Sequence, residues 1–468
     1  MTKRTPRTWA RLDNAAKIFP PSATGRDTRV FRFACQLREP VDPAVLQKAL
    51  DHTLTVFPFF RVILRRGLFW PYLEECELEA IVHEEDRPIC QRFYDPNVKC
   101  LLFDVSYFGK RINLEIFHVL TDGTGALQFL QRLVYDYLTF KHDYDPATVE
   151  PLPYSASNEE KNEDSFARHY KPGHRKKGNK HIVAYQEHYP LLPEARLEII
   201  EGHLSAAQAL AKAKSYHVSL TEYFCAVMLL AYRQNMTYRD YKRPIALSVP
   251  VNLRQFFDSA TARNFFSIIT IRYQFTEEEP QFTDILASVQ QQFKTELTRE
   301  KLEDRMTALM SLERNPFIRI VPLFIKNWFL NIANNFAARE VSSSISNVGK
   351  ITMPAFCQPH IERFDVFMST QRTQLCLCSF GDELTLSFTT AFASTQMPTR
   401  FFRLLAAEGM EISISSSLRD NGYEDSKEKS SDTKKQKTKP PKQPKVKKIN
   451  KKIKTKKAKP KKAKRNLQ

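Results

Sequence analysis

Residues 111–138 read RINLEIFHVLTDGTGALQFLQRLVYDYL, and the change of period halfway along this stretch decides the fold class. Ile112, Leu114 and Ile116 alternate with Asn113, Glu115 and Phe117, which is the two-residue period of a strand. From Ala126 onward Leu127, Leu130, Val134 and Tyr137 recur at helical spacing. His118, Asp122, Gly123 and Gly125 lie between the two patterns. The glycines are expected to form a sharp turn with positive φ. A strand that feeds a helix through a tight turn is the unit of an α/β protein.

The same reading extends in both directions. Residues 29–37 alternate as a strand, and Asp42-Pro43 opens an apolar helix that runs through Leu54. Strands are expected at 61–64 and 101–107. Residues 141–181 are polar and weakly patterned, as in a linker or a long surface excursion. Beyond them, helices are expected near 205–216 and 221–233, and strands at 244–249 and 267–275. Long helices follow over 281–300 and 316–337. TQLCLCSF-GDEL-TLSFTT is a hairpin that turns at Gly381-Asp382, and a helix at 398–409 closes the domain. The expected organisation is an N-terminal domain at 1–185 (141–185 being its polar linker region), a C-terminal domain at 186–420, and a tail at 421–468.

The net charge of +19 suggests a nucleic-acid partner until its location is examined. Residues 421–468 hold 20 Lys or Arg against 4 Asp or Glu, so the tail carries +16 and the body only +3. Binding of nucleic acid by the body through bulk charge is therefore excluded. The tail has no aromatic residue after Tyr423 and few aliphatic ones, so it reads as disordered. Three roles stay open for 427–465: a solvated extension, attachment to an anionic membrane, or non-specific binding to nucleic acid or another polyanion. The N-terminus lacks a signal-peptide apolar run. Residues 317–336 are interrupted by Arg319, Pro322, Lys326, Asn327 and Asn331. They are too polar to span a membrane and read as a core helix, with an interfacial helix as the alternative. The eight cysteines form no CxxC pair, which fits a reducing, cytoplasmic compartment. Cys376 and Cys378 share one strand face and read as buried packing rather than metal ligands. Gly-rich phosphate loops, GxSxG and HExxH are all missing.

His118 carries the chemistry. Chemistry that removes a proton needs a base, and histidine titrates near working pH. A histidine at a strand end, aimed into a cleft, suits that task. The alternative for a lone histidine at such a place is a hydrogen-bonded structural residue. Asp122, four residues on, sits where a carboxylate braces the loop through an arginine.

His118-xxx-Asp122-Gly123 resembles the HxxxDG motif of CoA-dependent acyltransferases, a superfamily that includes chloramphenicol acetyltransferase, alcohol O-acetyltransferases, wax ester synthases and condensation domains. WARLDNAAKIFP (9–20), SVPVNLRQFF (248–257) followed by RNFF (263–266), and SSSISNVGKITMP (342–354) resemble the bacterial alcohol-acetyltransferase-like branch, in that order. The resemblance spans roughly residues 8–410. It implies two chloramphenicol-acetyltransferase-like α/β domains with an active-site tunnel at their interface. It also implies acyl-CoA as co-substrate with no permanently bound cofactor or metal, an alcohol-type or lipid acceptor, and a monomer. His118 would be the general base in a direct attack on the thioester. Asp122 would be structural and orient the loop, with Gly123 beside it and Arg254 as the arginine partner. Asn264, Ser346 and Asn347 match positions that line the tunnel, and Ser346 stands as the oxyanion donor. Arg254 also reads as an ordinary surface ion pair, and Ser346 and Asn347 as turn residues. Phe117 occupies the place where condensation domains carry a first histidine, which favours ester over peptide formation. A catalytically silent binding module that docks on a polyanion or membrane through the tail is the alternative function.

Overall fold

The strand Arg111–Phe117 lies inside a five-stranded sheet, and the helix Gly123–Lys141 packs on one face of it. The computed structural model describes residues 9–95, 97–152, 156–171, 181–276 and 280–417. The tail expected to be disordered, 421–468, lies outside these residues. The sheet order is Ile361–Met368, Val30–Leu37, Arg111–Phe117, Phe103–Phe108 and His83–Glu84. Its pairs are antiparallel except the last. A second sheet has seven strands, ordered Phe266–Tyr273, Ile245–Asn252, Ser343–Ile351, Gln374–Phe380, Glu383–Thr390, Glu198–Ser205 and Ser413–Ser416. A small third sheet joins Trp9–Arg11, Tyr72–Glu75 and Val62–Arg65.

Local chemistry accounts for the main elements. Asp42 caps the helix Pro43–Val56, its Oδ1 accepting from Ala44 N at 3.0 Å, and Pro43 at the first position has no N–H to leave unpaired. Ser219 and Glu222 form a reciprocal capping box at the start of Leu220–Arg233. Gly381, at φ 60°, turns the hairpin between Gln374–Phe380 and Glu383–Thr390.

Each large sheet buries its own core. In the first, Phe57, Phe60, Phe103 and Phe129 interlock beneath Pro43–Val56 and Gly123–Lys141, with Phe60 stacked on Phe129 at 4.3 Å. In the second, Leu220–Arg233, Phe282–Glu296 and Gln396–Ala407 pack around Phe224, Phe388 and Phe401. The structure is thus a mixed α/β fold with two sheet-based lobes, and residues 1–419 form one compact unit. The halves interlock. Ile361–Met368, from the C-terminal half, pairs with Val30–Leu37 in the N-terminal sheet, and Cys376 and Cys378 join the N-terminal core.

Four expectations are corrected. The reading of 281–300 as one helix fails because the chain breaks at Leu297, and Thr298 caps a new helix, Arg299–Arg314. The reading of 316–337 as one helix fails at Pro322, which separates Pro316–Arg319 from Leu323–Ala338. Nor is that segment core, since only Lys326 of Leu323–Ala338 is buried. The polar stretch 141–185 is also more than a surface excursion. Phe166 is buried against Phe265 at 5.2 Å, and Thr261 donates to Glu163 O at 2.7 Å.

One buried charge cluster braces the first sheet. Arg32 Nε donates to Glu115 Oε1 at 3.0 Å, and Arg32 Nη1 meets Glu85 at 2.5 Å. Removing this cation leaves the buried Glu115 without its charged partner, while Glu85 keeps Arg111 at 2.8 Å. Arg32→Met is expected to lower unfolding free energy by about 3–5 kcal/mol in chemical denaturation.

Candidate active site

His118 lies one residue beyond the strand Arg111–Phe117, where its backbone N–H still donates to Arg29 O at 2.9 Å. The strand therefore fixes the direction of the side chain. Aromatic rings enclose the imidazole. Phe19 stacks on it at 4.3 Å, Phe31 meets it edge-on at 4.9 Å, and Phe266 lies at 5.5 Å. Phe117 points the other way into the core, stacked on Tyr94 at 4.9 Å.

The tautomer of His118 follows from its one polar neighbour. Nδ1 lies 3.1 Å from Asn264 Oδ1. The amide Nδ2 of Asn264 faces Asp13 Oδ2 at 3.3 Å and Val119 O at 3.5 Å, both acceptors. Asn264 therefore presents its oxygen to the ring, and Nδ1 must carry the proton. Nε2 keeps its lone pair. It has no hydrogen-bond partner among the described residues, and the residue is half-buried. Burial pushes the His118 pKa below 6.5, against the opposing pull of the Asp122 carboxylate. The ring is thus a neutral acceptor over a wider acid range than an exposed histidine.

Asp122 performs three tasks at once. Its Oδ1 caps the helix Gly123–Lys141, accepting from Thr124 N at 3.1 Å and Gly125 N at 3.2 Å. Its Oδ2 accepts from Phe265 N at 2.8 Å. Arg254 then clamps both oxygens, Nη1 to Oδ2 at 2.9 Å and Nη2 to Oδ1 at 3.3 Å. The remaining Arg254 donors reach Thr261 O at 2.9 Å, Arg263 O at 2.6 Å and Asn252 Oδ1 at 3.2 Å. Both side chains are buried, so this is not an ordinary surface ion pair.

His118, Asp122, Arg254 and Asn264 come together, whereas Ser346 and Asn347 do not join them by any hydrogen bond among the described residues. These two lie in the strand Ser343–Ile351 rather than in a turn, with a bulge between Asn347 and Gly349. The exposed Asn347 side chain donates to Thr221 Oγ1 at 2.9 Å. The expectation of positive φ at the motif glycines is also overturned. Gly123 and Gly125 are the first and third residues of the helix, and neither has positive φ. Only Gly125 is sterically required. A Cβ there would stand 2.0 Å from Ala262 O, whereas one on Gly123 would meet only Phe33 at 3.9 Å.

Sequence reasoning missed Asp13 and the aromatic wall. Asp13 is the one carboxylate in 9–20, and that isolation was the available signal. It is buried, accepts from Ala16 N at 2.7 Å, and faces Arg263 at 3.8 Å. Burial lifts its pKa to about 6, against the attraction of Arg263. Among the described residues, Glu39, His142 and His360 place potential ligand atoms within 4.8 Å of one another. They lie past the far end of Gly123–Lys141, about 28 Å from Asp122 at 1.5 Å per residue. Their imidazoles are stacked at 3.9 Å, and His360 Nε2 already meets Tyr144 Oη at 3.2 Å. Two cavities of about 490 and 540 Å³ occur elsewhere, and neither is lined by His118.

Solved structures share this fold at low sequence identity. TRI101 of F. sporotrichioides, complexed with coenzyme A and T-2, matches with a TM-score of 0.60 at 13% identity, over 86% of this chain and 99% of that one. The TRI3 trichothecene 15-O-acetyltransferase from Fusarium sporotrichioides gives 0.56 at 10%, over 86% and 94%. The first condensation domain of the CDA synthetase gives 0.55 at 14%, over 85% and 95%. No protein-family model and no curated protein sequence matches the chain. The chain has the fold shared by these acetyltransferase and condensation-domain structures.

The glycine geometry separates two positions that look alike in sequence. Gly125→Ala is expected to lower the melting temperature by several degrees, because the helix start must move away from Ala262. Gly123→Ala should be neutral or mildly stabilising in the same thermal scan.

Proposed function

We propose that this protein is an acyl-CoA-dependent O-acyltransferase with His118 as general base. One observation carries the reading: Asn264 holds the His118 proton on Nδ1, and Nε2, within an aromatic wall, has no hydrogen-bond partner among the described residues. Buried side-chain nitrogens are usually paired, so an unpaired Nε2 favours a catalytic over a structural histidine. The superfamily fold supports acyl transfer as the reaction class.

In this reading the acceptor hydroxyl donates its proton to Nε2 as its oxygen attacks the thioester carbonyl carbon. The C–O bond forms and the carbonyl becomes an oxyanion. Collapse then breaks the C–S bond, and the imidazolium returns the proton to the departing CoA sulfur. Ester and CoA thiol leave, and the histidine is neutral again. Asn264 accepts from Nδ1–H throughout, so the ring stays aimed while the charge comes and goes. Asp122 and Arg254 are positioning residues that hold the turn. Phe19, Phe31 and Phe266 keep water from the ring. Ser346 remains the proposed oxyanion donor, reached only if acceptor and thioester extend from His118 to the strand Ser343–Ile351. The acyl donor is taken as CoA thioester and the acceptor as an alcohol, with no resident metal or cofactor in the mechanism.

The test is release of CoA thiol from acetyl-CoA and longer acyl-CoAs across an alcohol panel. Acceptor-dependent release is expected to fall about 10²- to 10⁴-fold in His118→Ala with binding of acyl-CoA retained. Equal release by wild type and variant with every acceptor would end this reading.

The pH profile supplies an independent check. The neutral ring is the active form, and burial lowers the pKa at which it is lost. The acid limb of kcat/KM should therefore lie below 6.5, with activity falling as pH drops through the lowered value. A limb at or above 6.5 would assign the base to another group.

A further inference from the structure

Helix Leu323–Ala338 and the turn before it present large apolar side chains to solvent. Phe317 is 78% exposed, Phe324 74% and Trp328 60%, and Ile320, Phe329 and Phe336 are exposed with them. So many large exposed apolar side chains on one short segment, with Trp328 and Phe329 in ring contact at 4.8 Å, mark a binding surface rather than a normal exterior.

The chemistry of the surroundings selects the partner. Residues 314–339 contain Arg314, Arg319, Lys326 and Arg339 and no carboxylate. Lys326 is buried, so the exposed Arg314, Arg319 and Arg339 are the cations beside the exposed aromatic residues, a combination that suits the boundary between headgroups and acyl chains of an anionic bilayer. The 16-residue helix extends about 24 Å. No helix among the described residues is long and apolar enough to cross a membrane, so it would lie in the plane. The surface is rigidly mounted. Leu323 N donates to Leu68 O at 2.9 Å, and buried Lys326 Nζ donates to Phe69 O at 3.1 Å and Arg319 O at 3.2 Å. Lys326 also sits 3.7 Å above the Trp70 ring. Leu68 and Phe69 are exposed beside the Lys326 side of the helix. The lysine-rich composition of 421–468 adds a second attraction of the same sign, and stable anchoring usually requires two.

We propose that Leu323–Ala338, with Phe317, Ile320, Leu68 and Phe69, docks the protein in the plane of an anionic phospholipid bilayer. The helix packs on Phe19–Ser22, and Phe19 stacks on His118, so the docked face adjoins the wall of the candidate base.

The test uses the full chain and vesicles of phosphatidylglycerol and phosphatidylcholine, read by flotation and tryptophan emission. Docking predicts a blue shift on vesicle addition and quenching by brominated acyl chains, with the Trp328 share of both lost in Trp328→Phe. It also predicts that vesicle affinity falls at least about tenfold in Phe324→Ser/Phe329→Ser, two exposed sites outside either core. Undiminished binding by that variant, or binding without quenching of Trp328, overturns the proposal and leaves the lysine tail as the anchor. No binding to either lipid composition overturns it as well. So does a solution dimer that the double variant dissociates, since a second copy then covers the face. None of these readouts involves acyl transfer, so failure here leaves the His118 reading untouched.

Discussion

The Asp122 carboxylate is the point at which the two lobes and the candidate site are tied together. It caps a helix of the first lobe, accepts from a backbone N–H of the second, and takes a bidentate pair from Arg254. All of this occurs away from water, where an unpaired charge would be severely penalised. A buried pair of this kind adds little net stability over an apolar substitute, but it permits a single arrangement. Its geometric demands explain the surrounding sequence. Arg254 must be arginine because both forks are in use, and Gly125 must lack a side chain because the Ala262 carbonyl is adjacent.

His118 inherits its position from that anchor without touching it. The strand delivers the ring, the turn held by Asp122 ends the strand, and Asn264 sits one residue before the N–H that Asp122 accepts. Orientation and tautomer therefore come from opposite lobes. The same enclosure that aims the ring also withdraws it from water, which disfavours the imidazolium. Asp13 completes the chain of contacts by fixing the Asn264 amide from the opposite side.

The molecule also spends apolar surface unevenly. Phenylalanines interlock densely in both cores, while a helix of similar composition stands outside. Leu323–Ala338 shows why composition alone misleads. Its apolar residues are as frequent as those of a core helix, but its only buried side chain is a lysine that holds a loop by its carbonyls. The reversal is visible only when the neighbours are known.

Much of the architecture was legible in local pattern. The strand-to-helix switch at 111–138, the helix start at Asp42 and the hairpin at Gly381 depend on residues a few positions apart, and local propensity specifies such features. His118 and Asp122 were legible because their spacing is itself a local feature. The helix break at Thr298, the insertion of Phe166, and the transfer of Ile361–Met368 into the N-terminal sheet were not, since each is driven by packing against distant segments. Asp13 meets Asn264 across 251 positions, and Arg254 meets Asp122 across 132. The sequence by itself determined the α/β class, the segregation of positive charge into the tail, and the turn that carries His118. Only the tertiary structure decided which nitrogen of His118 is free and which aromatic residues wall it. It also decided which apolar helix is left facing outward, because burial and hydrogen-bond partnership are properties of contacts and not of residues.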